Sequence, residues 1–155
     1  MRLNLRAMPF LAAILWFAVS SAAAERKIAK SDLPPAVQKT AEQQSVGATV
    51  TGYSKDTEDG KLEYEVQMAS NGHSKDVTIA PDGKLIEIEE QIMMGNLPAN
   101  VKAALQSKAG KGKITKIESL TKHGAIVAYE AQVLTAGKRS EVQVGPNGEN
   151  LAHEE

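Results

Sequence analysis

Acidic and amide side chains recur at every second position in several stretches of this sequence. Glu63, Glu65 and Gln67 alternate with Leu62, Tyr64, Val66 and Met68, and Thr78, Glu87 and Glu89 alternate with Val77, Ile79, Ile86 and Ile88. Further on, Glu130 and Gln132 interleave with Tyr129, Ala131 and Val133, and Glu141 and Gln143 with Val142 and Val144. A period of two places the polar set on one face of a β-sheet and the apolar set on the other. Carboxylates gathered on such a face can attract a basic segment of a partner or hold cations. The plainer reading is a solvated face whose charges discourage edge pairing. Acid–base chemistry by Glu63 and Glu130 would require burial to raise a carboxyl pKa, which a wet face does not supply.

Other chemistries find less support. His73, His123 and His153 fall in a turn, a turn and the tail, never at metal-ligand spacing, and the chain has no cysteine. No metal site is expected from them. Asp56-Thr57-Glu58-Asp59-Gly60 has glycine at the fifth position, where a calcium-binding EF-hand loop needs an acid, and reads as a hairpin turn. Neither Gly-x-Ser-x-Gly nor His-Glu-x-x-His occurs. The sequence therefore predicts no catalytic residue, no cofactor and no enzyme.

The N-terminus bears on compartment. Arg2 and Arg6 precede an uncharged stretch, Ala7 to Ala24, that ends in the small residues Ser20 to Ala24. Basic, apolar and small segments in that order make a secretory signal peptide over residues 1–24, with cleavage after Ala24. An uncleaved anchor is the alternative, although small residues make a poor apolar span. Cleavage would leave 131 of the 155 residues and, because residues 1–24 carry two arginines and no acid, take the formal net charge from −1 to −3. A mild negative charge argues against nucleic acid as partner. A cysteine-free exported chain must be held by core burial, for which 131 residues suffice. The expected location is the periplasm or the medium, without stable membrane insertion.

The elements that must position the acidic face are written twice. Leu33-Pro34-x-x-Val37 recurs as Leu97-Pro98-x-x-Val101 at an offset of 64. Tyr64-Glu65-x-Gln67 recurs as Tyr129-Glu130-x-Gln132, and Val77-x-x-x-Pro81-x-Gly83 as Val142-x-x-x-Pro146-x-Gly148, at an offset of 65. Such order and spacing mark an internal duplication. The extra residue belongs in a loop or a β-bulge near Lys122-His123-Gly124. Asp32 and Asn96 are cap-type residues ahead of helices that end at Gly47 and Gly110. Ile114, Ile117 and Leu120 have helical spacing but β-branched and glycine-rich surroundings, which favour a strand.

These signals predict an α+β fold. Two tandem repeats, each of one helix and a four-stranded antiparallel meander, pack as one compact monomeric domain around a shared interior. The expected division is a lead at 25–32, repeats at 33–90 and 97–155, and a linker at 91–96 whose Gln91-Ile92-Met93-Met94 is buried between the repeats or serves as a docking strip.

The stretches "DLPPAVQKTAEQQ", "LEYEVQMASNGHSKDVTIAPDGKLIEIEE" and "NLPANVKAAL" resemble the PepSY-like family, similar in architecture to β-lactamase-inhibitor proteins. The resemblance implies an exported, cofactor-free protein that acts by binding. Related domains occur in metallopeptidase propeptides, and the inhibitors grip an enzyme with the open face of the sheet. Those inhibitors are disulfide-braced and rich in surface aromatics, whereas this chain beyond residue 24 has only Tyr53, Tyr64 and Tyr129. The partner so implied is an envelope or secreted protein, held through Glu63, Glu65, Gln67, Glu87, Glu130, Gln132, Glu141 and Gln143, with a low-affinity cation or small-ligand binder as the alternative.

Overall fold

The computed structural model describes residues 25–58 and 60–155; the signal-peptide reading lies outside them, as does Asp59 of the acidic turn. Strands β1 (Arg26–Lys27), β2 (Thr49–Glu58), β3 (Lys61–Ser70), β4 (His73–Ile79), β5 (Leu85–Gln91), β6 (Lys113–Lys122), β7 (Ala125–Thr135) and β8 (Lys138–Val144) form one sheet in that order. Every neighbouring pair is antiparallel. Helix α1 (Pro35–Gln44) precedes β2 and helix α2 (Ala99–Ala109) precedes β6.

The alternation in the sequence explains why these segments are strands and which way they face. Tyr64, Val66 and Met68 of β3 and Val77 and Ile79 of β4 are buried, and they pack with Leu33, Val37 and Ala41 under α1. Leu97, Val101 and Leu105 lie over Ile117, Tyr129, Ala131 and Val144 under α2. Removing a side chain such as Leu105 from water contributes roughly 1.5–3 kcal/mol, and the several in each cluster hold each helix on the sheet. Tyr64 and Tyr129 are equally buried at 7% exposure and pair with Ile79 and Val144 at matching register.

The expected architecture is corrected here. The molecule is not two helix-plus-four-strand repeats around a shared interior. It is a single eight-stranded sheet with two separate apolar clusters on one face. Strand β5 pairs with β4 on one side and β6 on the other, so its edge lies inside the sheet, where its backbone groups are satisfied. Residues beyond the Asn147-Gly148 turn form no fourth strand after α2. Asn150-Leu151-Ala152-His153 lacks the apolar alternation that Leu85-Ile86-Glu87-Ile88 brings to β5.

The turn that recurs in the sequence docks each helix. Gly83 and Gly148 have φ of 86° and 80°, and a Cβ on either would come within 2.8 Å of Ala36 O or 2.7 Å of Asn100 O. Thr40 Oγ1 donates to Gly83 O at 2.6 Å, and Asn100 Nδ2 to Asn147 O. Glycine is needed for both reasons, the left-handed backbone and the close approach of the helix. The helices begin after Pro34 and Pro98, not at the expected caps. Asp32 instead accepts a hydrogen bond from the Ala29 N–H at the preceding 3₁₀ turn.

Two irregularities set the register of β6. Val50 pairs with Met68 and Gly52 with Gln67, leaving Thr51 as a bulge, and Ile114 and Lys116 pair with Val133 and Gln132 in the same way, leaving Thr115. A further shift pairs Leu120 with Ala128 and Thr121 with Ile126. Val127 is therefore the additional residue that changes the repeat offset. Segment 91–94 divides: Ile92 and Met94 pack against the second cluster, whereas Met93 is 56% exposed. Among the described residues, no helix is long and apolar enough to cross a membrane.

Candidate functional site

With α1 and α2 on one face, the other face is open and polar. Across its middle, β-pairing lines up carboxylates in successive strands. Asp76 of β4 is directly opposite Glu89 of β5, and Glu118 of β6 directly opposite Glu130 of β7. Glu130 in turn faces Gln143 of β8. Like charges directly opposite one another destabilise a sheet, so this arrangement requires compensation by a cation, a proton or hydrogen bonds.

Glutamine hydrogen bonds and lysine ammonium groups supply part of it. Gln143 Nε2 donates to Glu130 Oε2 at 2.8 Å, and Gln67 Nε2 donates to Glu65 Oε1 at 3.1 Å. Lys122 pairs with Glu87 and Glu155 at 3.2 and 3.5 Å. The Lys116 ammonium stands 2.5 Å from Glu118 Oε1. The Glu118 side chain is only 3% exposed, and this ammonium is its counter-charge.

Burial and mutual repulsion shape the electrostatics. Burial, then the charges of Glu118 and Glu87, push the Glu89 carboxyl up to about 8. Burial also raises Glu65 and Glu130 against the opposing effect of their glutamine hydrogen bonds, and raises Asp76 against the pull of Lys116. Glu63 is raised by burial and by Glu58. Burial works against the Lys116 charge, but Glu118, Asp76 and Glu89 outweigh it and hold its pKa above the ordinary lysine value.

Next to this band lies a concavity of about 250 Å³, lined by Glu63, Glu65, Glu87, Glu89, Glu130 and Gln143 among others. Seven of the residues predicted for partner contact or for the acidic face, these six and Thr78, thus meet in one place. Gln67, Gln132 and Glu141 share the face but lie outside the lining. The sequence reading missed Asp76 and Glu118. Asp76 could have been found by extending the Val77–Ile79 alternation back one step. Glu118 was hidden because the bulge at Thr115 breaks the period of two.

Among the described residues, Asp76, Glu89 and Glu118 are a group whose ligand atoms all lie within 4.8 Å of one another. His73, His123 and His153 remain apart, at the start of β4, in the β6–β7 turn and in the C-terminal segment. Oxygen donors alone suit a hard cation such as calcium or magnesium rather than zinc or copper.

Neither a protein-family model nor a curated protein matches the sequence. Solved structures do share its chain path. A protein from Bacteroides eggerthii, provisionally described as periplasmic, superimposes with a TM-score of 0.61 at 18% identity, over 76% of this chain and 84% of that one. A BLIP-like protein from Bacteroides fragilis gives a TM-score of 0.57 at 20% identity, over 79% and 86%. The fold is BLIP-like. A DUF2874 family protein from Bacteroides ovatus agrees with this BLIP-like fold, with a TM-score of 0.58 at 20% identity over 76% and 84%.

Proposed function

We propose that this BLIP-like chain is an exported, non-catalytic binding protein related to the PepSY-like family. Its open sheet face receives a basic segment of an envelope or secreted protein, and through that contact it modulates the partner, of which a peptidase is one class. The observation carrying this reading is the acidic concavity itself, in which Glu63, Glu65, Glu87, Glu89 and Glu130 converge and only Lys122 answers them from the lining. A concave, half-buried surface of one sign focuses its field and draws in the opposite charge. The acidity of the face also speaks against nucleic acid.

The test is a fluorescence titration with a lysine- and arginine-rich peptide of about a dozen residues, against an acidic peptide of equal length. Saturable binding that weakens with salt and is lost in Glu65→Lys/Glu130→Lys is expected, and the same double variant should fail to capture a partner from a periplasmic extract. Binding or capture unchanged by the double reversal, in a variant with native circular dichroism, would remove the acidic face from the account.

A further inference from the structure

The sheet ends differently at its two sides. At one, β1 pairs with Ser54 and Lys55 of β2, and the Ile28 N–H donates to Tyr53 O. At the other, β8 pairs with β7 alone. An edge strand directs the N–H and C=O of every second residue away from its one neighbour. Segment 150–155 passes beside β8 but, among the described residues, makes no backbone–backbone hydrogen bond to it. It is held by the Glu155 N–H, which donates to Gln143 Oε1 at 2.9 Å, and by Glu155 against Lys122 at 3.5 Å. A concavity of about 350 Å³ opens between the two, lined by Glu141, Val142 and Gln143 of β8, by Lys108 of α2, and by Leu151 and His153 among others.

The first half of the chain shows what such an edge takes. Strands β4 (His73–Ile79) and β8 (Lys138–Val144) coincide at an offset of 65, and β4 carries the antiparallel β5 on the corresponding side. Ile88 of β5 stands opposite Val77 and packs against the first apolar cluster, and Val77 is fully buried. Val142, the counterpart of Val77, is only partly buried. The next pair of counterparts, Ile79 and Val144, is buried equally at 0% exposure. The deficit is therefore local, an apolar side chain missing opposite Val142. On the open face the counterparts of Asp76 and Thr78 are Glu141 and Gln143, and Gln143 lies opposite Glu130. Glu141 has no ion-pair partner among the described residues. Opposite charges across a strand pair stabilise it and like charges destabilise it, so a strand added here gains most from basic residues on this face.

We infer that the outer edge of β8 receives an extended, antiparallel segment of a partner, with apolar residues towards α2 alternating with lysine or arginine towards the open face. Opposite Val144, Gln143, Val142 and Glu141 the segment runs apolar, basic, apolar, basic. Main-chain hydrogen bonds supply the affinity of such strand addition, and the alternation sets its register. The inference rests on the reading of the open face as a receptor for a basic segment, and adds where and in what conformation that segment binds.

The test is an anisotropy titration of the whole protein with labelled, end-blocked heptapeptides: one alternating valine and lysine, one with the same residues in two blocks, and one alternating valine and glutamate. The alternating valine–lysine peptide should bind about tenfold or more tightly than the block peptide, which forms fewer main-chain hydrogen bonds in register, and should slow amide exchange in β8. Methylating the alternate amide nitrogens of one phase should abolish binding, and of the other phase should change it by no more than about twofold, because only one set faces β8. Glu141→Lys should weaken the valine–lysine peptide about tenfold and admit the valine–glutamate peptide. The inference is overturned by equal binding of the alternating and block peptides, by binding that survives methylation in both phases, or by exchange in β8 that does not slow. It is also overturned if Glu65→Lys/Glu130→Lys abolishes binding while Glu141→Lys leaves it unchanged, which places the segment in the concavity and not at the edge. Each of these outcomes leaves the basic-segment reading standing, whereas failure of both lysine peptides to bind removes that reading and this one together.

Discussion

Gathering carboxylates across one sheet face has a consequence for stability that runs opposite to ordinary acid denaturation. Glu89 moves from a usual value of 4.5 to about 8 on folding, chiefly through burial and then through Glu118 and Glu87. An acid with a raised folded pKa holds more protons folded than unfolded between the two values. Stability therefore falls as pH rises from about 4.5 to about 8 and levels off above that. At about 1.4 kcal/mol per pH unit, the interval sets a ceiling of roughly 5 kcal/mol. Asp76 and Glu130, whose carboxyls burial also raises, take up protons alongside it and spread the titration, so a loss of about 2–3 kcal/mol between pH 5 and pH 8 is expected. Lys116 and Lys122 stay charged throughout this window, and their contribution is level. Urea unfolding at pH 5, 6, 7, 8 and 9 in chelator measures the slope. Glu89→Gln, which keeps the shape and removes the charge, should be more stable than the parent at pH 8 and show a shallower slope. Stability that is flat or rises from pH 5 to pH 8, or an identical slope in Glu89→Gln, would refute the reasoning.

Two further substitutions test the parts that position the site. Gly83→Ala and Gly148→Ala should each destabilise by about 1–3 kcal/mol from backbone conformation, with more from the clash at Ala36 O or Asn100 O, read as a drop in urea midpoint; loss in only one of them would mean that the two turns do not play equivalent parts. Lys116→Met in chelator should cost about 3 kcal/mol by leaving Glu118 buried without its counter-charge, and the double variant Lys116→Met/Glu118→Leu should recover most of that loss in the same assay.

Much of the fold could be read from period and turn chemistry. Tyr64, Val66 and Met68 against Glu63, Glu65 and Gln67 placed β3 and both of its faces, and Pro81-Asp82-Gly83 with Pro146-Asn147-Gly148 placed two turns that the structure docks under the helices. What could not be read was which strand would pair with which. Alternation tells a strand which face is dry, but says nothing about its edges. Whether Leu85–Gln91 closes the first half or bridges to β6 depends on the unpaired edge left beside α2, a property of the assembled sheet. The helix starts were misplaced for a local reason, since a proline at the boundary fixes its own φ and makes a side-chain cap unnecessary.

The site was half legible, and the missing half is the informative one. Glu65, Glu89 and Glu130 sit in regular strands, where every second residue points the same way. Glu118 follows the bulge at Thr115, which shifts the phase of β6 so that Ile114 and Ile117 face α2 while Glu118 and Leu120 face the acids. Thr51 forms the matching bulge in β2, and the residue it brings to the corresponding place is Ser54, also buried, with no hydrogen-bond partner for its hydroxyl. The same backbone irregularity thus sinks a polar group into the open face in both halves, as a neutral hydroxyl opposite Glu65 and as a carboxylate opposite Glu130. Backbone geometry accounts for the burial in each case. It does not account for a charge at Glu118, where serine would fit the same bulge without setting two acids face to face. The charge at that position is what the pH series measures: Glu118→Ser should leave the bulge intact, lower the repulsion on Glu89, and raise the urea midpoint at pH 8.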